Sequence, residues 1–302
     1  MSGVELSTAV AEQGGLEAAS AERPSALDAA FAAAREEGRS LLVGYLPAGF
    51  PTVDGGIDAM RTIVEAGVDV VEVGLPYSDP VMDGPTIQAA AETALRAGVR
   101  TRDVLATVSA VAALGVPTLV MTYWNPVERY GVDAFARDLA AAGGAGLITP
   151  DLTPDEGEAW IAASDAHGLD RVFLVSPSST DTRIAAAAAA CRGFVYATAV
   201  MGVTGAREQA SDLGPRLVER VRERSPLPVG VGLGVSSGAQ AAAVAAYADA
   251  VIVGSALVST LLHAPTPAAG GAALRVLVTD LVAGVRSVTR AEGTPPAGRS
   301  VD

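Results

Sequence analysis

One unit recurs along the chain eight times: a short apolar run, a loop, and then a stretch with helical spacing. The runs have apolar centres rich in Val, Ile and Leu, and they begin at Leu41, Val68, Pro117, Ala145, Arg171, Gly193, Leu227 and Ala248. Short apolar strands that alternate with helices are typical of βαβ units, whose parallel sheet is buried on both faces. Eight such units predict a (β/α)₈ TIM barrel, an α/β fold, and a doubly wound open sheet is the alternative.

The repeats lie within residues 25–287, which we interpret as a single barrel domain. Pro24 and Ser25 open a helix before the first strand, and Gly38 ends it. Residues 1–24 are rich in Ala, Glu, Ser and Gly without an apolar period, and residues 288–302 have a similar character. Both segments predict flexible tails.

The charge balance and the cysteine content exclude several kinds of partner. The chain of 302 residues has 21 basic and 34 acidic residues, so its net charge of −13 disfavours nucleic acid and anionic membranes. It has no uninterrupted apolar stretch of about 18 residues and no pattern of a signal peptide, so we expect no membrane partner. Cys191 is the single cysteine, which fits a cytoplasmic protein.

All 21 basic residues are arginine, because the sequence contains no lysine. A lysine Schiff base is therefore excluded, and a Walker-type phosphate loop lacks its lysine. The two histidines, His167 and His263, cannot form a three-histidine metal site. We expect no metal, and chemistry that uses carboxylates, hydroxyls, arginine or backbone amides.

The second run contains a glutamate in apolar surroundings. Strand alternation puts Val70, Glu72 and Gly74 on one face and the intervening valines on the other. If the valines face the helices, Glu72 points into the barrel, where lost hydration raises its pKa and suits it to proton transfer. The alternative is a structural glutamate that pairs with a buried arginine or with backbone amides.

The loop after this run, residues 75–88, is long and holds two acids, a tyrosine and three prolines. Prolines restrict the backbone conformations of a loop, which suits a loop that positions a functional side chain. Asp79 is best explained as a turn or capping residue. Asp83 is either a catalytic acid or part of a turn, and the local sequence favours neither.

Glycines follow the last three runs, where barrels frequently bind phosphate. Gly205 follows the sixth run, Gly232 and Gly234 end the seventh, and Gly254 precedes Ser255 after the eighth. Glycine lets backbone N–H groups approach a ligand, and a helix that begins at Ser255 would present its N-terminus. These positions together predict a phosphate site.

Polar and aromatic residues stand at the ends of other runs. Tyr45, Tyr123 and Tyr196 could form a flat apolar wall suited to a planar ring. Asp151 ends the fourth run, where it either touches the site or caps the next helix.

The segment VEVGLPYSDPVMDGPTIQ, residues 71–88, resembles the signature of the tryptophan synthase alpha chain family. The resemblance extends over about residues 41–262 and includes MTYWNPVERYG, AGLITPDLTPDE, GVTGAR and GVGLGVSS. It implies a lyase of tryptophan biosynthesis that cleaves indole-3-glycerol phosphate by a retro-aldol reaction to indole and glyceraldehyde 3-phosphate.

By this resemblance Glu72 takes the position of the catalytic glutamate and Asp83 that of the catalytic aspartate. Asp151 matches an aspartate that supports the loop of the second acid. The substrate-binding positions that we assign are Tyr45, Tyr123, Tyr196, Thr204, Gly205, Gly232, Gly234, Gly254 and Ser255. Whether Glu72 or a water takes the proton from the glycerol hydroxyl stays open.

The family works as a heterotetramer of two alpha and two beta chains. The resemblance therefore implies a tryptophan synthase beta chain as partner, with pyridoxal phosphate held only there and no cofactor in this chain. It also implies loops after the second and sixth strands that close on contact with the partner.

Three other functions compete with this one. A sugar-phosphate isomerase with two aspartates would need acids after runs one and five, which end in Tyr45-Leu46 and Ser176-Pro177. A regulatory barrel without activity is disfavoured because both Glu72 and Asp83 are present. A lyase that releases indole without a beta chain stays open.

Overall fold

Eight parallel strands close into a barrel in chain order, with the last strand paired to the first. The computed structural model describes residues 24–198 and 212–289. Its strands are β1 (Leu41–Pro47), β2 (Val70–Gly74), β3 (Thr118–Met121), β4 (Gly146–Thr149), β5 (Asp170–Val175), β6 (Val195–Thr198), β7 (Val229–Gly232) and β8 (Ala250–Val253). The closed order confirms the predicted barrel over the open sheet. The predicted tails lie almost wholly outside the described residues and stay predictions.

Twelve helices surround the strands or join them within the described residues. They are α1 (Ala26–Glu36), α2 (Val53–Glu65), α3 (Pro85–Arg96), α4 (Thr101–Ala112), α5 (Trp124–Tyr130), α6 (Val132–Ala141), α7 (Glu158–Ala166), α8 (Asp181–Ala190), α9 (Leu213–Arg222), α10 (Gly238–Ala245), α11 (Ser255–Leu262) and α12 (Pro267–Arg286).

The apolar residues divide into two clusters because strand side chains alternate between the barrel interior and the helices. Val70 belongs to the inner cluster, with Val43, Leu119 and Ile252 from other strands. Val71 and Val73 belong to the outer cluster, between the sheet and the helices. Val71 and Val73 therefore face the helices, as expected from strand alternation. Glu72 lies on the inner face with Val70.

Helix α1 closes the end of the barrel at which the strands begin. The Ser25 side chain accepts from the Asp28 N–H and the Asp28 side chain accepts from the Ser25 N–H, which forms a capping box. Leu27 and Phe31 are buried in the inner cluster, and the Phe31 and Phe194 rings have centroids 5.7 Å apart. The βα loops lie at the opposite end, which is the end where barrels of this kind carry their functional residues.

Helix α12 is long and apolar enough, by length and composition, to cross a membrane. It packs against α2, α10 and α11, and buries Leu274, Val278 and Leu281. A Cβ on Gly284 would lie 2.0 Å from the backbone oxygen of Gly238, so α12 crosses α10 at backbone contact. This packing covers one face of the helix, whereas Val276 lies outside that face and is 71% exposed.

Candidate active site

Glu72 lies on the inner face of β2, level with Tyr45 on β1 and Leu119 on β3. Its side chain is fully buried, and neither carboxyl oxygen has a hydrogen-bond partner among the described residues. The structural alternative, in which an arginine or backbone amides pair with this glutamate, therefore finds no support in the described part of the chain.

The burial of Glu72 has a direct electrostatic consequence. Lost hydration disfavours the charged form and raises the pKa from 4.5 to about 8. The carboxyl group therefore holds its proton at pH 7, where an exposed glutamate would be ionised. A buried polar group without a partner destabilises a fold by about 1–3 kcal/mol, so its presence inside the barrel indicates a function.

Two tyrosines lie beside this carboxyl group. Burial, together with the negative charge of nearby carboxylates, raises the pKa of both Tyr45 and Tyr196 well above its usual value. Both hydroxyls therefore stay protonated at neutral pH.

Three glycines make room for the tyrosine rings. A Cβ on Gly74 would lie 2.3 Å from the Tyr45 hydroxyl, and one on Gly254 would lie 3.3 Å from the Tyr45 ring. A Cβ on Gly232 would lie 2.8 Å from the Tyr196 hydroxyl. Gly232 and Gly254 thus have a packing role that the sequence did not predict, because it depends on contacts between strands.

Asp83 lies in the loop between β2 and α3. Burial raises the pKa of its carboxyl group, and a hydrogen bond with the Tyr123 hydroxyl acts in the opposite direction. The same hydroxyl accepts from the Met82 backbone N–H at 3.0 Å. On this loop the Val81 and Met82 side chains are 78% and 52% exposed.

Asp151 joins the loop after β4 to the start of α5. Its two carboxyl oxygens accept from the Trp124 backbone N–H at 2.9 and 3.1 Å. Trp124 follows Tyr123 directly, so Asp151 holds the residue next to the tyrosine that contacts the Asp83 loop. The prediction that Asp151 caps the next helix is therefore wrong, because Asp151 holds the first residue of α5, a helix that precedes it in the chain.

Tyr77 is a site residue to which the sequence analysis assigned no role. Its ring stacks on the Tyr123 ring, with centroids 5.1 Å apart and an interplanar angle of 30°. The two tyrosines are 46 positions apart in sequence, and no local pattern indicates such a contact.

The structure describes some of the residues that we predicted to bind phosphate, and others lie outside its described part. Gly234 is exposed with φ +70°, and Gly254 precedes α11, whose first residue, Ser255, is also exposed. Among the described residues no side chain caps this helix N-terminus, so its backbone N–H groups can bind an anion. Thr204 and Gly205 lie outside the described residues.

The described residues contain no group of three or more His, Cys, Asp or Glu side chains that could hold a metal ion. His167 lies at the end of α7, where its Nε2 is 2.9 Å from an Asp133 oxygen on α6. The Glu72 carboxyl group lies inside the barrel, and the Asp83 carboxyl group lies in the loop after β2, which also carries Asp79.

Residues 31–283 match the family model described as tryptophan synthase alpha chain. This chain belongs to the tryptophan synthase alpha chain family. The tryptophan synthase alpha chain of Salinispora arenicola (strain CNS-205) is 66% identical over 263 residues, which cover 87% of this chain and 98% of the relative. The tryptophan synthase alpha chain of Mycobacterium avium (strain 104) is 61% identical over 262 residues, which cover 87% of this chain and 95% of the relative. The family resemblance of the sequence is confirmed.

Solved structures of the family have the same fold. Tryptophan synthase from M. tuberculosis, in an open form with BRD0059 bound, superposes with a TM-score of 0.81 at 56% identity and covers 87% of this chain and 100% of that chain. Tryptophan synthase subunit alpha from Legionella pneumophila str. Paris has a TM-score of 0.78 at 30% identity. The match covers 88% of this chain and 100% of that chain.

Proposed function

We propose that this chain catalyses the alpha reaction of its family, with Glu72 and Asp83 as the catalytic acids. The reaction is the lyase step of tryptophan biosynthesis that converts indole-3-glycerol phosphate to indole and glyceraldehyde 3-phosphate. The observation that carries the assignment is the Glu72 carboxyl group, which is buried, has no partner among the described residues and is protonated at pH 7.

Glu72 supplies the proton of the first step. The proton moves to C3 of the indole ring, which breaks the aromaticity of the ring and leaves positive charge at the ring nitrogen. The Asp83 carboxylate accepts a hydrogen bond from the ring N–H and stabilises that charge. Asp83 is partly buried in the loop after β2, beside Tyr123, and this position suits a group that contacts the substrate from the loop side of the barrel.

The second step breaks the carbon–carbon bond. The Glu72 carboxylate formed in the first step, or a water, accepts the proton of the glycerol hydroxyl on the carbon attached to C3. A carbonyl forms there, the bond to C3 breaks, and its electron pair restores the aromatic ring. Indole leaves with the new hydrogen at C3, and the carbonyl product is glyceraldehyde 3-phosphate.

The rest of the site binds the two ends of the substrate. Tyr45, Tyr123 and Tyr196 line the indole pocket. The residues that bind the glycerol and phosphate groups are Gly232, Gly234, Gly254, Ser255, Thr204 and Gly205. Backbone amides and the N-terminus of α11 replace the absent lysine as the source of positive potential.

We propose further that the chain works in the cytoplasm with a tryptophan synthase beta chain, as two alpha and two beta chains. Pyridoxal phosphate is then held by the beta chain alone. Support comes from the solved tryptophan synthase of M. tuberculosis that this chain resembles. The exposed Val81 and Met82 side chains on the Asp83 loop also suit a protein contact.

Indole release from indole-3-glycerol phosphate tests these proposals, with the purified chain alone and with added beta chain. Slow release that rises strongly with beta chain is the expected result. Fast release by the chain alone would contradict activation by a partner and indicate a lyase that acts by itself. Absence of release in both cases, with substrate bound, would contradict the alpha reaction and indicate a regulatory barrel.

A further inference from the structure

Tyr77 lies on the same loop as Asp83, six positions before it, and its ring is half-buried against Tyr123. The two rings are close to parallel, with centroids 5.1 Å apart and 30° between the planes. Stacking at this separation is favourable because the aromatic quadrupoles prefer offset arrangements. The contact joins the loop after β2 to the end of β3.

The Tyr123 ring carries the hydroxyl that holds the far end of this loop. Its oxygen accepts from the Met82 N–H at 3.0 Å, and the nearby hydroxyl lowers the pKa of the Asp83 carboxyl group. The loop beyond is tied to α3, where Gln88 Nε2 donates to the Asp83 carbonyl at 2.7 Å. Tyr77 thus packs on the ring whose hydroxyl holds Met82, the residue directly before Asp83.

The backbone end of Tyr123 is fixed independently of Tyr77. Asp151 accepts from the Trp124 N–H, which anchors the chain directly after Tyr123. The Tyr123 side chain is only 5% exposed, so the side chains packed against its ring set the position of its hydroxyl. The Tyr77 ring is one of these neighbours and covers one face of the Tyr123 ring.

We propose that Tyr77 is a positioning residue of the alpha reaction, whose ring holds the Tyr123 ring so that the Tyr123 hydroxyl orients the Asp83 carboxylate. The inference rests on the proposed function, in which Asp83 accepts from the indole N–H. A displacement of about 1 Å in a positioned group can lower a rate about a hundredfold, so a loosened Asp83 loop should be visible in kcat.

The test compares Tyr77→Leu, which removes the ring, with Tyr77→Phe, which retains it. Steady-state indole release is measured with the chain assembled with its beta chain, over a range of pH. Tyr77→Leu should lower kcat about three- to tenfold, in keeping with the strength of an aromatic pair, and change KM less. Tyr77→Phe should retain wild-type kcat. Tyr130→Leu removes another tyrosine with an aromatic partner, Phe135, and is the matched control.

The pH profile separates positioning from general structural damage. The hydrogen bond with Tyr123 lowers the pKa of Asp83, so a loosened bond lets that pKa rise. The acidic limb of kcat, where Asp83 gains a proton, should move to higher pH in Tyr77→Leu. Tyr123→Phe should move it in the same direction, and the double variant should move it little further.

Several results would overturn the inference. Wild-type kcat and an unshifted acidic limb in folded Tyr77→Leu would do so, as would equal damage from Tyr77→Phe and Tyr77→Leu. Additive effects in the double variant would show that Tyr77 acts independently of the Tyr123 hydroxyl. Asp83→Asn distinguishes the two proposals: if it retains wild-type activity, the role of Asp83 itself is wrong. If it loses activity while Tyr77→Leu does not, the role of Tyr77 alone is wrong.

Discussion

Replacement of Glu72 by glutamine should stabilise the folded chain at neutral and alkaline pH. Glutamine keeps the size of the side chain and cannot ionise, whereas the glutamate must either keep its proton or place a charge inside the barrel. The unfolded chain meets no such restriction. The variant therefore measures how strongly folding disfavours the Glu72 carboxylate.

The expected magnitude follows from the pKa of Glu72, which is 4.5 for an ordinary glutamate and about 8 in the folded chain. Since folding raises the pKa, the contribution of Glu72 to stability is complete below pH 4.5 and is lost as the pH rises through about 8. Each pH unit in this window lowers the free energy of unfolding of the wild type by about 1.4 kcal/mol. The wild type should lose about 1 kcal/mol by pH 5, about 3 by pH 7 and about 5 by pH 9, relative to Glu72→Gln.

Urea unfolding of both proteins at pH 5, 7 and 9, followed by circular dichroism, gives the difference in the free energy of unfolding. Contributions from other titrating groups cancel in this difference. Glu65→Gln is the control, because it removes an exposed carboxylate on α2 that pairs with Arg275 at the surface. If the difference between wild type and Glu72→Gln is the same at all three pH values, Glu72 is not held protonated by the fold and the reasoning fails.

Three further predictions concern activity and packing. The kcat/KM for indole release should fall above about pH 8, where Glu72 loses its proton, and at low pH, where Asp83 gains a proton. A pH profile without the fall at alkaline pH would contradict the role of Glu72 as the acid. Gly284→Ala should lower the free energy of unfolding by about 2–4 kcal/mol in urea, because its Cβ would lie 2.0 Å from the Gly238 oxygen; a fully stable variant contradicts the close crossing. Gly234→Ala should raise KM more than it lowers kcat and destabilise the fold by about 1 kcal/mol, since φ is +70° there; unchanged KM contradicts a phosphate role.

The features that follow a local period could be predicted from the sequence. In β2 the alternation of Val70 and Glu72 with the intervening valines is enough to place the carboxyl group inside the barrel, because strand side chains alternate strictly. The direction of the pKa change of Glu72 followed from that placement. Its size depends on the absence of any partner among the described residues, which no sequence pattern indicates.

The features that depend on distant contacts were missed. Helix α5 has seven residues, too few for a clear period, and its N-terminus is held by Asp151, 27 positions later. The Tyr123 hydroxyl reaches Met82 across 41 positions. Such contacts arise because neighbouring strands of the barrel bring their following loops together, and that is a property of the closed sheet.

The boundaries of α7 could not be predicted from the sequence either. Helical spacing in the sequence extends over residues 154–167, whereas α7 is Glu158–Ala166. The residues before it form a turn in which Glu156 and Gly157 donate to the carbonyls of Thr153 and Pro154. Proline near a helix start is compatible with either arrangement, so propensity alone did not place the boundary.

The rate of indole release by Glu72→Gln and Asp83→Asn, each assembled with the beta chain, tests the central claim most directly. Asp58→Asn and Glu65→Gln on the exposed face of α2 are the controls for loss of one carboxylate. Each site variant should lose at least about a hundredfold in kcat while it remains folded and both controls keep wild-type rates. A kcat near that of the wild type in either site variant would contradict the assignment of that carboxyl group.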